Sequence, residues 1–537
     1  MKRIIVFLSL AVFILSSTSI AAQEDIKPLM KKYGELMLFL QRSYVDSVDL
    51  TSISEKMLRE GVRQLDPHSV YIPSEEVARM NAPLKGEFGG IGVEFAVISD
   101  TLTIQSLVAG GPSEKGGLLP GDRIVAIDGD TVAGKNLSSS KIHEYLRGEK
   151  GTEVRLLVSR RGCSDREYIL VRDMIPMISL DAAYEAMPGI LYFRLSRFAM
   201  TSFEEVMEAF SDYGHTPKGM ILDLRGNSGG YVHVALKLAS QFLEKKSLIL
   251  YTEGKSSPRR SESSSGYGVY RKKPLIILVD EFSASASEIL SGAVQDWDRG
   301  LVIGRRTYGK GLVQKPLKFS DGSELRLTIA RYHTPSGRVI QRPYQLGKAD
   351  QYHKDFYARL ENGEMFSPDS IRINDSLAYQ TLRAGRVVYG GGGIVPDLFV
   401  PADTLLSSTW YSAVLKGGHV LGFANRYLDV HRSELQKKYR TFESFSQAYD
   451  ADNTIYREFT DELGRQKGLP RQEASPEIHA RLNLMLKALL ARGLFGQDKY
   501  YFVLNQADPV YRKALEVFSH PESLDEQLRK VFYNEFN

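Results

Sequence analysis

Leu275-Ile276-Ile277-Leu278-Val279 runs straight into Asp280-Glu281-Phe282-Ser283-Ala284-Ser285-Ala286-Ser287-Glu288-Ile289. A continuous apolar run of this length, three of its residues β-branched, fits a strand buried on both faces. Two further runs, Met220–Leu224 and Leu301–Ile303, have the same character, and helical patterns separate all three. That succession predicts an α/β core built on a parallel sheet. Immediately after the first run, Ser285 and Glu288 stand three apart, which matches a capping box opening a helix over Ile289–Trp297. Taken alone, the cap is the commoner meaning of such a stretch. The same geometry also suits chemistry, because a Ser at a strand-to-helix turn points its hydroxyl outward. The next N–H, that of Ala286, then faces a developing oxyanion.

A Ser hydroxyl is a weak nucleophile until a base takes its proton. The ten His residues are scattered and none sits in a recognisable triad motif. Esterases and lipases of the His type need Gly-x-Ser-x-Gly, and the flanks of Ser285 are Ser283 and Ser287. A different base stands in Arg306-Thr307-Tyr308-Gly309-Lys310-Gly311, just after the third buried run. Glycines on both sides leave the Lys310 amine unshielded by neighbouring side chains. To act as a base it must be neutral, which requires burial to lower its pKa from ~10.4 towards ~7–8. A surface lysine in a glycine turn is the commoner case. Gln314, four residues on, is at helical spacing or across a turn and could orient the amine. The third such turn, Asp223-Leu224-Arg225-Gly226-Asn227-Ser228-Gly229-Gly230, again follows a buried run. Paired glycines there free backbone N–H groups to point into a cleft, although Gly-Gly turns are common.

Outward from this core the texture changes. Lys2 and Arg3 precede an apolar run, Ile4–Leu15, and a small-x-small pattern ending at Ala21, with Ala22 the neighbouring option. This predicts a removable export signal over residues 1–22 and a periplasmic location; the run is short of the ~20 residues a membrane span needs. An uncleaved anchor is the competing reading, ranked second. Residues 23–84 read as helical, with apolar positions at three- and four-residue spacing and a second such segment over Ile53–Leu65. From about residue 85 to 173, short alternating runs (Leu102–Leu107, Arg123–Ile127, Val154–Ser159, Tyr168–Val171) punctuated by Gly and Pro predict a small β-rich domain. The core occupies 174–400, and 401–537 is mostly helical by pattern. Within the core, the Ser-, Arg-, Lys- and Gly-rich stretch Gly254–Lys273 reads as an exposed loop.

Composition bounds the rest. Of 537 residues, 69 are Lys or Arg and 65 Asp or Glu, and net charge +4 at this length gives no basic domain for nucleic acid. A single cysteine, Cys163, excludes intramolecular disulfides and cysteine-cluster metal sites. It reads as a core or strand-edge thiol of the β-rich domain. Asp296, eleven residues past Ser285, reads equally as support for the site or as a surface charge.

These pieces, in order, resemble the C-terminal processing peptidases, or tail-specific proteases, a serine-lysine peptidase family. The matching motifs are Leu65-Asp66-Pro67-His68-Ser69, Gly90-Ile91-Gly92-Val93 and Pro120-Gly121-Asp122. Asp223-Leu224-Arg225 with Gly229-Gly230, Ser283–Glu288, Gly309-Lys310-Gly311 with Gln314, Thr334-Pro335-Ser336-Gly337-Arg338 and Gly393-Ile394-x-Pro396-Asp397 follow. The resemblance covers roughly residues 60–400. It implies an α/β core of the ClpP/crotonase-like kind with an inserted PDZ domain and helical N- and C-terminal segments. It implies Ser285 as nucleophile, Lys310 as general base, Gln314 as the amide that orients it, and the N–H groups of Gly230 and Ala286 as oxyanion donors. Gly90, Ile91, Gly92 and Val93 would bind a substrate's terminal carboxylate, with the peptide adding to the sheet edge beside them. The implied activity is cleavage of proteins with apolar C-terminal tails, without metal or cofactor. A homodimer through the terminal helices is expected by analogy. His68 belongs to a family motif but receives no chemical role. Two departures stand out: Gly-Asn-Ser-Gly-Gly where many relatives have Asn-Asn-Pro-Gly-Gly, and a longer helical tail. The alternative function is a non-catalytic PDZ adaptor, which the presence of both Ser285 and Lys310 places second.

Overall fold

The computed structural model describes residues 25–98, 100–160, 162–213, 217–403, 405, 408–466, 468–469 and 475–535. The expected export signal, residues 1–22, lies outside the described residues. Within them, no helix is long and apolar enough to cross a membrane.

The chain up to Gln64 forms a unit of its own. It contains helices α1 (Lys27–Ser43) and α2 (Leu50–Arg63). The Asp49 carboxylate caps α2 by accepting the Ser52 N–H at 3.0 Å. The apolar stripe read from the sequence lies on α1, where Leu29, Met30, Tyr33 and Leu36 are exposed.

The second unit starts at Leu65. Its β-rich part is an antiparallel sheet in the order β1 (Val93–Ile98), β2 (Thr101–Leu107), Arg123–Ile127, Glu153–Ser159, Arg166–Val171, with helix α3 (Ser139–Leu146) packed against it. Period-two patterning does the sorting: Val154, Leu156 and Val158 are buried between exposed neighbours. Among the described residues, β1 ends the sheet and is paired on one side only, to β2. Cys163 is exposed in the turn before Arg166–Val171, not in the core or at a strand edge.

The larger sheet runs Leu180–Met187, β3 (Ile190–Leu195), β4 (Gly219–Asp223), β5 (Leu275–Val279), β6 (Leu301–Gly304), Leu398–Phe399. Its first pair is antiparallel and the others are parallel. Every residue of β4, β5 and β6 is buried, because helices cover both faces. On one face Phe193, Leu222 and Ile277 pack with Leu238 of the helix Val232–Phe242 and with Leu290 and Val294 of α4 (Ala286–Asp296). α4 begins three residues earlier than its apolar pattern suggests, at the residue after Ser285. An antiparallel hairpin, β7 (Leu312–Lys318) and β8 (Glu324–His333), follows β6.

Two stretches depart from their sequence reading. Gly254–Lys273 is not simply a loop: Ser257–Ser263 is a strand paired antiparallel with Leu248–Gly254. Its side chains are mostly exposed, so no apolar alternation marked it and only backbone hydrogen bonds define it. The tail after residue 400 serves two places. Helices from Thr409 to Phe495, among them α5 (His419–Lys438) and α6 (Pro476–Phe495), surround a core of their own, with Trp410, Phe423, Phe445, Phe459, Leu482 and Leu486. α7 (Gln497–Asn505), α8 (Pro509–Ser519) and α9 (Glu526–Tyr533) follow. From α8 and α9, Val510, Ala514, Val517 and Phe532 cover the second face of the large sheet against Tyr192, Ile221, Ile276 and Leu278.

The last helix is therefore part of the core built on the large sheet. Phe532→Ala should destabilise it by about 3–5 kcal/mol, the usual range for a buried Phe. Urea denaturation would show this as a lower midpoint, whereas a dispensable tail would leave the midpoint in place.

Candidate active site

Three turns leave the C-terminal ends of β4, β5 and β6, the end at which open parallel sheets hold their sites. Hydrogen bonds lace the first two together. Asp280 Oδ1 accepts from the N–H of Gly226 at 2.9 Å and of Phe282 at 3.0 Å. The Ser283 hydroxyl donates to the Leu224 carbonyl at 2.9 Å. The Asn227 carbonyl accepts the Ala284 N–H at 3.0 Å and the Ser287 hydroxyl at 2.8 Å. Held this way, Ser285 sits at φ 55°, ψ −111°. An L-residue occupies that region only under constraint, at about 1–3 kcal/mol, and such outliers cluster at functional sites.

The Ser285 N–H donates to Glu288 Oε2 at 2.8 Å, which is the half of the capping box contributed by the glutamate. That carboxylate reaches further than a cap. It also accepts the N–H of Lys310 at 2.9 Å, the N–H of Gly309 at 2.7 Å and the Thr307 hydroxyl at 2.5 Å. Glu288 is wholly buried. Burial pushes its carboxyl pKa up, and the hydrogen bonds from Thr307, Lys310, Gly309 and Ser285 oppose the rise. The Tyr332 hydroxyl, on β8, adds a second tie: it lies 3.2 Å from the Ser285 carbonyl and 2.9 Å from the Lys310 carbonyl.

Beside Ser285, the Gly229 N–H is taken by Asn227 Oδ1 at 2.8 Å. Among the described residues, no hydrogen bond engages the N–H of Gly230 or of Ala286. The glycines are sterically required here. A Cβ on Gly229, at φ 103°, would lie 2.8 Å from the Ser285 Cβ and 2.8 Å from the Ala284 carbonyl oxygen, and one on Gly230 would run into the Phe198 carbonyl. The Ser228 found where many relatives carry Pro leaves this glycine geometry in place.

Lys310 stands between Gly309, at φ 90°, and Gly311. Its Nζ donates to Gln314 Oε1 at 3.1 Å. Gln314 Nε2 donates to the His68 carbonyl, which decides which way the amide faces. Among the described residues no hydrogen bond joins Nζ to the Ser285 hydroxyl. Burial lowers the Lys310 pKa; the Glu288 charge opposes this and the Arg326 charge adds to it. Gln314 is on strand β7, neither a helix nor a tight turn, and the pairing of β7 with β8 slips between Val313 and Gln314.

His68, part of the Leu65–Ser69 motif, has a structural role that the motif alone does not reveal. Asp66 organises its corner by accepting the N–H of His68 at 2.8 Å, the N–H of Ser69 at 2.8 Å and the Ser69 hydroxyl at 2.5 Å. It also accepts the Thr328 hydroxyl of β8 at 3.2 Å. The imidazole packs edge-on against Tyr352 and its pKa falls to about 3, through burial first and the Lys310 charge second. It is therefore neutral near pH 7. The motif itself was the signal, but only the fold shows that its carbonyl holds Gln314. Asp296 is no surface charge: it is fully buried, accepting from Arg338 Nη2 at 2.6 Å and from the Ser336 N–H at 2.9 Å.

Gly90, Ile91, Gly92 and Val93 lie at the entry to β1, where Ile91 and Val93 pack with the core of the β-rich sheet. Gly92 has φ 76°, and the buried Ile91 carbonyl accepts the Ser113 N–H at 3.0 Å and its hydroxyl at 2.6 Å. Among the described residues, no group of three or more His, Cys, Asp or Glu is arranged to hold a metal.

Residues 189–346 match the model of peptidase family S41, residues 103–160 a PDZ domain, and residues 410–496 a family of unknown function. A carboxy-terminal-processing protease of Bartonella bacilliformis is 32% identical over 355 residues, covering 64% of this chain and 81% of that protein. A carboxyl-terminal-processing protease of Synechocystis is 34% identical over 284 residues, covering 52% and 66%. A solved photosystem II D1 C-terminal processing protease aligns at 25% identity over 73% of this chain and 90% of that one, with a TM-score of 0.35. The chain is a serine protease with a PDZ domain. It belongs to peptidase family S41, among the carboxy-terminal-processing proteases.

Gly229→Ala should displace the Ser285 turn and lower kcat/KM about 100-fold, the effect of roughly 1 Å of misplacement. Activity on an unfolded protein, measured alongside the thermal midpoint, separates this from unfolding; unchanged activity would remove Gly229 from the site.

Proposed function

We propose that the protein is an exported endopeptidase that captures protein C-terminal tails on its PDZ domain and cleaves peptide bonds with a Ser285–Lys310 dyad. The observation that carries this reading is Ser285 itself, held at φ 55° beside two unengaged N–H groups, with a partly buried lysine tied to the same carboxylate through its backbone. In this scheme neutral Lys310 takes the Ser285 proton as Oγ attacks the scissile carbonyl carbon. The N–H groups of Gly230 and Ala286 receive the oxyanion. The Lys310 ammonium then protonates the leaving amine, leaving an acyl-enzyme. Water deprotonated by Lys310 attacks the ester, and the proton returns to Ser285. Gln314 accepts one amine hydrogen throughout and so aims the Nζ lone pair. Export is supported by the charged and apolar pattern of residues 2–21. Capture of apolar tails is supported by the PDZ match and by the open edge of β1 beside Gly90–Val93.

Ser285→Ala and Lys310→Ala should each lower kcat/KM on an unfolded protein with an apolar tail by at least about 10³-fold. Full activity in either variant sinks the dyad. The pH profile gives an independent test with a definite sign. Because burial lowers the Lys310 pKa, its neutral form appears at lower pH than that of an exposed lysine. kcat/KM should rise with pH along a limb centred below ~10.4. A limb at the ordinary lysine value contradicts the assignment.

A further inference from the structure

The exposed edge of β1 does not face open solvent. Across from it stand α5 and α6, within the segment that matches a family of unknown function. Between the two lies a cavity of about 630 Å³, within the range of ligand sites. Val93, Phe95 and His143 line it from the PDZ side, and Leu421, Arg432 and Arg492 from the helical side. The two walls are pinned to one another. Arg123 pairs with Asp429 at 2.7 Å, Arg432 Nη2 donates to the Gln105 carbonyl at 3.3 Å, and Arg492 approaches Glu94 at 3.3 Å.

We infer that the helical domain formed by Thr409–Phe495 is the second wall of the tail-binding groove, so that a substrate's extended C-terminal tail is enclosed between the β1 edge and α5 and α6. This rests on the PDZ domain being the tail-capturing module. The five residues Val93–Val97 span about 17 Å of strand edge, enough to pair a tail of about five residues. Val93, Phe95 and the half-exposed Leu421 offer apolar surface to its side chains on both sides. Arg492 and Arg432 reach Glu94 and Gln105, beside the Gly90–Val93 loop. Arg492 is matched there by Glu94, and Arg432, which donates to the Gln105 and Gly493 carbonyls, brings positive charge to the side where the negative terminus of the tail arrives. Gly422 also lines the cavity, and a Cβ there would meet only the flexible end of Arg426. That wall can therefore be raised without disturbing packed backbone.

The test uses the full-length Ser285→Ala protein, which cannot cleave, and fluorescence anisotropy of a labelled ten-residue peptide ending in three apolar residues. Gly422→Trp fills the groove from the helical side, Leu421→Asp places a negative charge at an exposed position on the same wall, and Phe95→Asp alters the PDZ wall. Thermal unfolding reports whether each variant folds, and Leu421→Asp is the variant least able to disturb packing. Each should weaken the peptide's Kd by roughly tenfold or more. If only Phe95→Asp weakens binding, the helical wall is no part of the groove, while tail capture by the PDZ domain stands. If the peptide binds neither the parent nor any variant, the tail-capture reading itself falls. If Gly422→Trp or Leu421→Asp tightens binding, the helical domain is an obstructing lid, and the composite groove is wrong.

Discussion

A single buried carboxylate joins the two halves of the proposed catalytic pair. Ser285 and Lys310 come from turns after different strands, β5 and β6, and both turns converge on Glu288. Ser285 is in an unfavourable backbone region, and Lys310 is flanked by glycines that tolerate many conformations. Glu288 accepts from the backbone of both turns and from Thr307, so each turn is the other's restraint. Without donors, burying a carboxylate is prohibitive; here three N–H groups and a hydroxyl offset the desolvation. The arrangement is mutual. The donors need the carboxylate as much as it needs them, because among the described residues the N–H groups of Ser285, Gly309 and Lys310 have no other acceptor.

A second network does the same for the turn proposed to receive the oxyanion. Buried Asp223, at the end of β4, accepts from Arg194 Nη1 at 2.9 Å, from Arg225 Nη2 at 2.6 Å and from the Tyr192 hydroxyl at 2.7 Å. Burial alone would raise its pKa, but Arg225 and Arg194 outweigh it and hold the carboxyl well below the usual range. Arg225 extends the chain of charge to Asp508 with two 2.8 Å contacts, and Asp508 caps α8. The helices that cover the second face of the sheet are thereby tied to the turn that carries Gly229 and Gly230. Apolar burial brings the layer to the sheet, and this ion pair sets its register against the site.

Much of this was legible in the sequence because burial on both faces leaves a plain signal. The runs at Met220, Leu275 and Leu301 are strands, and the turns after them converge. The PDZ strands showed as alternation. What sequence could not show falls into two kinds. Ser257–Ser263 is a strand whose side chains meet water, so its pairing left no trace in composition. The links of Glu288 to Lys310, of His68 to Gln314 and of Arg225 to Asp508 span 22, 246 and 283 residues, and no local pattern reports such partners. Glu288 could be read as a cap because a cap is what it is locally; its second task appears only when the next turn folds beside it.

The choice of a carboxylate to hold the two turns raises a physical difficulty, since a negative charge beside Lys310 stabilises the ammonium and works against a lysine base. The structure resolves it by direction and not by distance. Glu288 spends its oxygens on the Lys310 backbone N–H, on Gly309, on Ser285 and on Thr307, while the Lys310 amine turns to the neutral oxygen of Gln314. No ion pair forms between the two side chains, and the remaining attraction is diluted by the donors that surround the carboxylate. Burial and the nearby Arg326 charge then prevail, so the lysine pKa falls. His68 serves the same end. As a neutral ring it adds no charge, and it fixes the amide through a backbone carbonyl. A carboxylate in place of Gln314 would hold the amine as firmly and would pin its proton there, which is why an amide suits this position and an acid does not.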